Sequence, residues 1–171
     1  MEIIAQKIRN IPDFPKPGIQ FKDITPLLGC PDTMTACIQA LCEPFADKGI
    51  TKVAGMESRG FIFGTPVAAA LGLGFVPLRK PGKLPYDTVS ARYALEYGEA
   101  ELQMHIDAVT ENDKVLLIDD LIATGGTAKA SCELIETQGA TVAGLAFVIE
   151  LDFLNGREQL EEYEVHSLLH Y

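Results

Sequence analysis

The chain has 171 residues, 47% of them hydrophobic, and carries 14 basic against 24 acidic side chains, a formal charge of -10. That length and hydrophobic share suit one ordinary domain with a real core, and the acidic balance argues against bulk binding to nucleic acid or anionic membrane. No segment reaches membrane-spanning length, "MEIIAQKIRN" lacks an apolar signal run, and Cys30, Cys37, Cys42 and Cys132 show no paired spacing, so a soluble, cytoplasmic protein with reduced thiols is expected.

After a short N-terminal helix, "IPDFPKPGIQFKDITPLLG" holds four prolines and scattered aromatics, which forbid a long regular element and predict a folded flap. "PDTMTACIQALCEPFADKG" opens with Pro-Asp-Thr and ends at glycine, as a helix does, despite Pro44 late in it. An alternation follows. "TKVAGM" reads as a strand before "ESRG" and the helix "FIFGTPVAAALG"; "GFVPL" is a strand before "RKPGK"; "KVLLI" is a strand before "DDLIATGG" and the helix "TAKASCELIETQG"; "TVAGLAFVIE" is a further strand. Apolar strands alternating with helices predict an α/β fold with a mostly parallel sheet covered on both faces. "TVSARYALEYG" and "EAELQMHIDAV" read as two arms of a hairpin inserted into that alternation, a candidate lid. We expect a single domain over 1–171, with a flap over about 1–30 and a lid over about 84–110.

Ligands of such sheets bind outside the carboxyl ends of the strands, near a switch in strand order. Here those ends are "ESRG", "RKPGK" and "DDLIATGG", the most polar and glycine-rich junctions of the chain. Residues 79–92 carry a local charge of +3 against -13 for the remainder, which suits a compact anionic ligand, although a solvated loop has the same composition. In "ATGGT", Gly125 and Gly126 allow close backbone approach, and Thr124 and Thr127 place hydroxyls beside the free N–H groups of a helix start. That is a phosphate cradle, or more simply a capped strand-to-helix turn. Neither GxxxxGK[ST] nor GxGxxG is present. Asp119 and Asp120 ahead of the cradle tilt the reading: two carboxylates can accept hydrogen bonds from vicinal hydroxyls while a divalent cation relieves their repulsion, as a ribose 5-phosphate requires.

"VLLIDDLIATGGTA" resembles the phosphoribosyl diphosphate (PRPP) binding motif of the type I phosphoribosyltransferases. "FPKPGIQFKDITPLL", "GMESRGFIFG", "RKPGKLP", "ALEYGEAEL" and "GREQL...HSLLHY" extend the resemblance, in order and from end to end, to the adenine phosphoribosyltransferases among them. The resemblance implies that Ala123, Thr124, Gly125, Gly126 and Thr127 hold the 5-phosphate and Asp119 and Asp120 the ribose hydroxyls. It implies that Glu57, Ser58, Arg59, Arg79 and Lys83 face the diphosphate, with a non-proline cis peptide between Glu57 and Ser58. Phe21 would stack on adenine, the backbone of Gln20 and Lys22 would read its edge, and Leu151 would pack opposite. Glu96 would manage the adenine proton and Tyr97 belong to the lid. Tyr86 departs from the small residue that many relatives carry after "GKLP".

The activity implied is adenine plus PRPP giving AMP and diphosphate, in purine salvage, by a homodimer. Mg2+ would be held through the substrate rather than by a direct protein ligand set. Two other readings are a phosphoribosyltransferase for another purine base and a non-catalytic PRPP-sensing regulator, the latter disfavoured by charge and by lack of room for a nucleic-acid module. "HSLLH" has the i, i+4 spacing of helical metal ligands, but it reads as a terminal strand without a nearby third ligand.

Overall fold

The computed structural model describes residues 1–94 and 99–171, without the side chains of 94 and 99, so Glu96 and Tyr97 lie outside the described residues. Five strands form the central sheet: β3 (Lys52–Met56), β4 (Gly74–Leu78), β7 (Lys114–Ile122), β8 (Thr141–Glu150) and β9 (Val165–His170), in the order β4-β3-β7-β8-β9. Every neighbouring pair is parallel. The apolar character of these strands follows from cover on both faces. Val53, Leu116, Ile118 and Val148 pack toward α3 (Pro31–Cys42) and α4 (Gly60–Leu71). The alternate positions Ala54, Met56, Val115, Leu117 and Phe147 pack toward α5 (Gly126–Thr137). Two short helices, α1 (Glu2–Ala5) and α2 (Thr25–Leu28), add Ile4 and Leu27 to the first of these cores.

The proline-rich segment forms an antiparallel ribbon of β1 (Arg9–Pro12) and β2 (Gln20–Asp23). The inserted hairpin is β5 (Thr88–Ala94) with β6 (Glu99–His105), which shares its buried Leu102 and Met104 with the α5 side of the core. An isolated bridge between Arg79 and Gln103 ties it to the end of β4. No helix among the described residues is long and apolar enough to cross a membrane.

One sequence boundary is corrected. β7 does not stop at Ile118 but continues to Ile122, because β8 keeps pairing with it through Asp119, Leu121 and Ile122. Both aspartates are therefore strand residues, and a strand sends neighbouring side chains to opposite faces. The chain passes from β3 out to β4 on one side and then back to β7 on the other, so the switch in strand order falls between β3 and β7.

Asp113 ties the start of this sheet together. It accepts from the Thr110 N–H at 2.8 Å and the Thr51 hydroxyl at 2.9 Å, with Lys52 Nζ 3.1 Å away. Partial burial opposes its ionisation, but the Thr110 N–H, Thr51, Lys52 and the Thr110 hydroxyl together hold its pKa at about 2. An unfolded aspartate titrates near about 4, so this stabilisation is full above that value and is lost as pH falls through about 2. Asp113→Asn should lower the urea midpoint at pH 7, and the difference from the parent should shrink between about pH 4 and pH 2. A pH-independent difference would refute the assignment.

Candidate active site

A cleft of about 620 Å³ opens over the carboxyl ends of β3 and β7, at the switch in strand order. Its walls come from the end of β3 (Met56 to Arg59), the run from Asp119 to Ala128, Lys80, and Tyr93, Ala100 and Leu102 of the hairpin. Gly125 adopts φ +83°, the left-handed region that glycine enters without a Cβ penalty, and turns the chain into α5. The first turn of a twelve-residue helix thus faces the cleft with its unpaired N–H groups, a suitable site for an anion. Thr127 Oγ1 stands 3.3 Å from the Tyr93 hydroxyl, which joins the hairpin to this turn.

The two aspartates differ. Asp120 is buried, and Arg59 Nε lies 2.7 Å from its Oδ2. Asp119 accepts from the Asp120 N–H at 2.8 Å, and a Cβ added at Gly60 would meet its Oδ1 at 2.9 Å, so α4 starts directly against this carboxyl. Burial, then the negative charge of Asp120, push the Asp119 pKa well above the usual range, with Arg59 opposing them.

Glu57 and Ser58 are joined by a cis peptide, as the resemblance implied, and both line the cleft. Of the three basic residues expected at the cleft, Arg59 lines it and the other two do not. Arg79 is taken up by Glu57, with Nη2 to Oε1 at 3.1 Å and Nε to Oε2 at 3.3 Å, and it also donates to the Lys83 carbonyl at 3.2 Å. That fork holds the Glu57 carboxyl below the ordinary range. Neither Arg79 nor Lys83 lines the cleft; Lys80, between them, does.

A second cavity of about 400 Å³ lies beside the first under the β1–β2 ribbon, lined by Ile11, Phe14, Phe21, Lys22, Ile24 and Arg59, among others. Phe14 meets Phe21 edge-on at 5.1 Å, and the Arg59 guanidinium lies 6.0 Å from the Phe21 ring. Arg59 thus touches both cavities. Gln20 and Leu151 line neither. Gln20 accepts from the Asn10 amide at 2.6 Å, and Leu151 packs on the core at the end of β8. The ribbon pairs β2 with β1 alone among the described strands, so the other edge of β2 has no strand partner.

Residues 32–168 match the phosphoribosyl transferase domain family. An adenine phosphoribosyltransferase of Nitrosococcus oceani is 63% identical over 171 residues, the whole of both chains. The chain belongs to the adenine phosphoribosyltransferase family. Among solved structures, the adenine phosphoribosyltransferase of Rhodothermus marinus superposes with a TM-score of 0.94 at 54% identity, covering 99% of this chain and 97% of that one. The Saccharomyces cerevisiae member, complexed with D-2,5-dideoxy-2,5-imino-altritol 1,6-bisphosphate and adenine, superposes with a TM-score of 0.93 at 40% identity, covering 98% and 97%.

Sequence reasoning missed Lys80 and Tyr93 in the cleft wall and the 156–159 segment packed behind the 123–127 turn. Lys80 is one of three cations in "RKPGK", and nothing in the residue types says which of them points inward. For "HSLLH", β9 is a strand as read, and only His170 of the two histidines groups with two carboxylates among the described residues. The parallel register places His170 beside Glu150, and Asp152 joins them, with His170 Nδ1 2.9 Å from Asp152 and 3.9 Å from Glu150. Arg157 engages both oxygens of Glu150, at 2.9 and 2.5 Å, so a guanidinium already neutralises that carboxylate.

Proposed function

We propose that this protein transfers the 5-phosphoribosyl group of PRPP to adenine, giving AMP and diphosphate, as a pentosyltransferase of purine salvage. The observation that carries this reading is the pair of adjoining cavities sharing Arg59: a polar cleft with a helix-start anion cradle and two carboxyls, next to an apolar slot walled by Phe21. Such a pair fits a sugar phosphate joined to a flat base.

In the reaction, adenine N9 forms a bond to ribose C1′ as the bond from C1′ to the diphosphate oxygen breaks, and the N9 proton departs. Charge builds on the sugar and on the leaving group, so the protein's work is alignment, exclusion of water and charge placement. Residues 123–127 take the 5-phosphate; Asp119 and Asp120 take the ribose hydroxyls. Arg59, Lys80 and the backbone at Glu57 and Ser58 face the diphosphate; Arg79 and Lys83 act there through Glu57 and through the loop they close. Phe21 stacks on the base, and the free edge of β2, at Gln20 and Lys22, reads it. Leu151 supports the far side from the core. Residues 84–110 serve as a lid over the site, with Tyr97 in it and Glu96 as the proton-transfer group; both assignments rest on the resemblance.

The donor set fits a Mg2+ brought by the substrate. Asp120 is committed to Arg59, and Asp119 resists ionisation, so these two cleft carboxyls do not by themselves form a cage for the ion. When bound, the cation neutralises diphosphate charge. We propose further that the protein works in the cytoplasm as a homodimer. Incubation with adenine, PRPP and Mg2+ should yield AMP and diphosphate in equal amounts. Failure to form AMP, with turnover of orotate or xanthine instead, would overturn the reading.

A further inference from the structure

The turn that faces the cleft is backed by a segment with no reactive groups of its own, "GREQL", the 3-10 turn Gly156–Leu160. Gly156 is buried, and a Cβ added to it would stand 2.2 Å from the Ala123 carbonyl oxygen and 2.9 Å from the Gly125 nitrogen. In return, a Cβ on Gly125 would stand 2.3 Å from the Gly156 carbonyl oxygen. The two backbones are therefore in direct contact. One residue further along the turn, the Thr124 carbonyl accepts a hydrogen bond of 2.8 Å from the Gln159 side-chain amide.

The backing segment is itself anchored. Leu160 is 1% exposed in the α5 side of the core. Arg157 grips Glu150 with two nitrogens and donates to the Val165 carbonyl at 2.8 Å, so the segment is fastened to both β8 and β9.

A trans peptide is planar, with its C=O and N–H pointing in opposite directions. Turning the carbonyls of Ala123 and Thr124 toward Gly156 and Gln159 therefore turns the N–H groups of Thr124 and Gly125 the other way, into the cleft. Neither N–H has a backbone partner among the described residues. We propose that Gly156 and Gln159 are positioning residues for the 5-phosphate: they fix the two peptide planes whose N–H groups meet it, without touching the substrate. This rests on the transferase reading above, and it adds residues that lie outside the cleft wall.

The test compares KM for PRPP, KM for adenine and the Kd of AMP in the parent, Gly156→Ala and Gln159→Glu. AMP formation by the parent tests the transferase reading separately. Gly156→Ala should raise KM for PRPP and the Kd of AMP about tenfold or more, since its methyl group displaces the Ala123 carbonyl, while KM for adenine stays within about twofold. Gln159→Glu keeps the side-chain shape and removes the donor. It should raise KM for PRPP about threefold to fivefold, again without moving KM for adenine. Gln159 is exposed, so this variant folds even if Gly156→Ala does not. Unchanged PRPP and AMP constants in the folded variants, or equal losses for PRPP and adenine, would overturn the proposal.

Discussion

Asp119→Asn is expected to give a more stable protein that uses PRPP on the order of 10²-fold less efficiently. The Asp119 carboxyl is pushed well above the usual range by burial and by Asp120, so the folded state resists its ionisation. Above the unfolded pKa, near about 4, folding must either take up a proton or bury a second negative charge, and this penalty grows with pH until the folded pKa is passed. Asparagine removes the penalty, and its carbonyl can still accept from the Asp120 N–H. The stability gain over the parent should therefore be small near pH 4 and widen as pH rises. The catalytic loss has a separate origin: asparagine cannot ionise, whereas above its raised pKa the carboxylate is a charged acceptor for a ribose hydroxyl, worth roughly 1.5 to 3 kcal/mol per hydrogen bond. Urea midpoints between pH 4 and 8, together with kcat/KM for PRPP, check both halves. A variant that is less stable at pH 8, or that uses PRPP normally, would show that Asp119 is an ordinary structural carboxylate.

Hypoxanthine should be converted with kcat/KM on the order of 10³-fold or more below that of adenine. Adenine presents an amino donor beside a ring-nitrogen acceptor, and hypoxanthine presents an acceptor beside a donor. A site that reads the base with backbone C=O and N–H cannot reverse its own polarity, so the wrong base leaves both groups unpaired. The free edge of β2, carrying Phe21 and Lys22 into the apolar cavity, supplies such groups without a diagnostic side chain. Competition assays at fixed PRPP would measure the ratio. A ratio near one would remove base reading from β2 and favour a broader purine transferase.

Much of the fold was legible because the buried parallel strands advertise themselves. "VLLI" and "LAFVI" have no polar face to hide, and "VLLI" runs on through a glycine-rich junction into a helix. The hairpin arms and the terminal strand around "HSLLH" also came from local pattern. The end of β7 did not, since two aspartates inside a strand contradict local propensity and are held there by pairing with β8. In the site, the 123–127 turn at the cleft was readable from glycines and threonines adjoining a strand and a helix. The choice among Arg79, Lys80 and Lys83 was not, because it depends on Glu57 reaching across to claim Arg79. The role of Gly156 was equally silent, since a glycine required by a contact over thirty residues away looks in sequence like any loop glycine.

The free edge of β2 carries a hazard. Unpaired strand backbone recruits other strands, and in a crowded cell it is a nucleus for self-association. Pro12 ends β1, Pro15 and Pro17 lie between the strands and Pro26 follows β2, and β1 and β2 extend over only four residues each. Proline cannot donate to a ladder, so a second molecule that begins to pair here runs out of hydrogen bonds almost at once. The same prolines that make the flap look irregular thus act as gatekeepers, keeping this edge closed to another polypeptide.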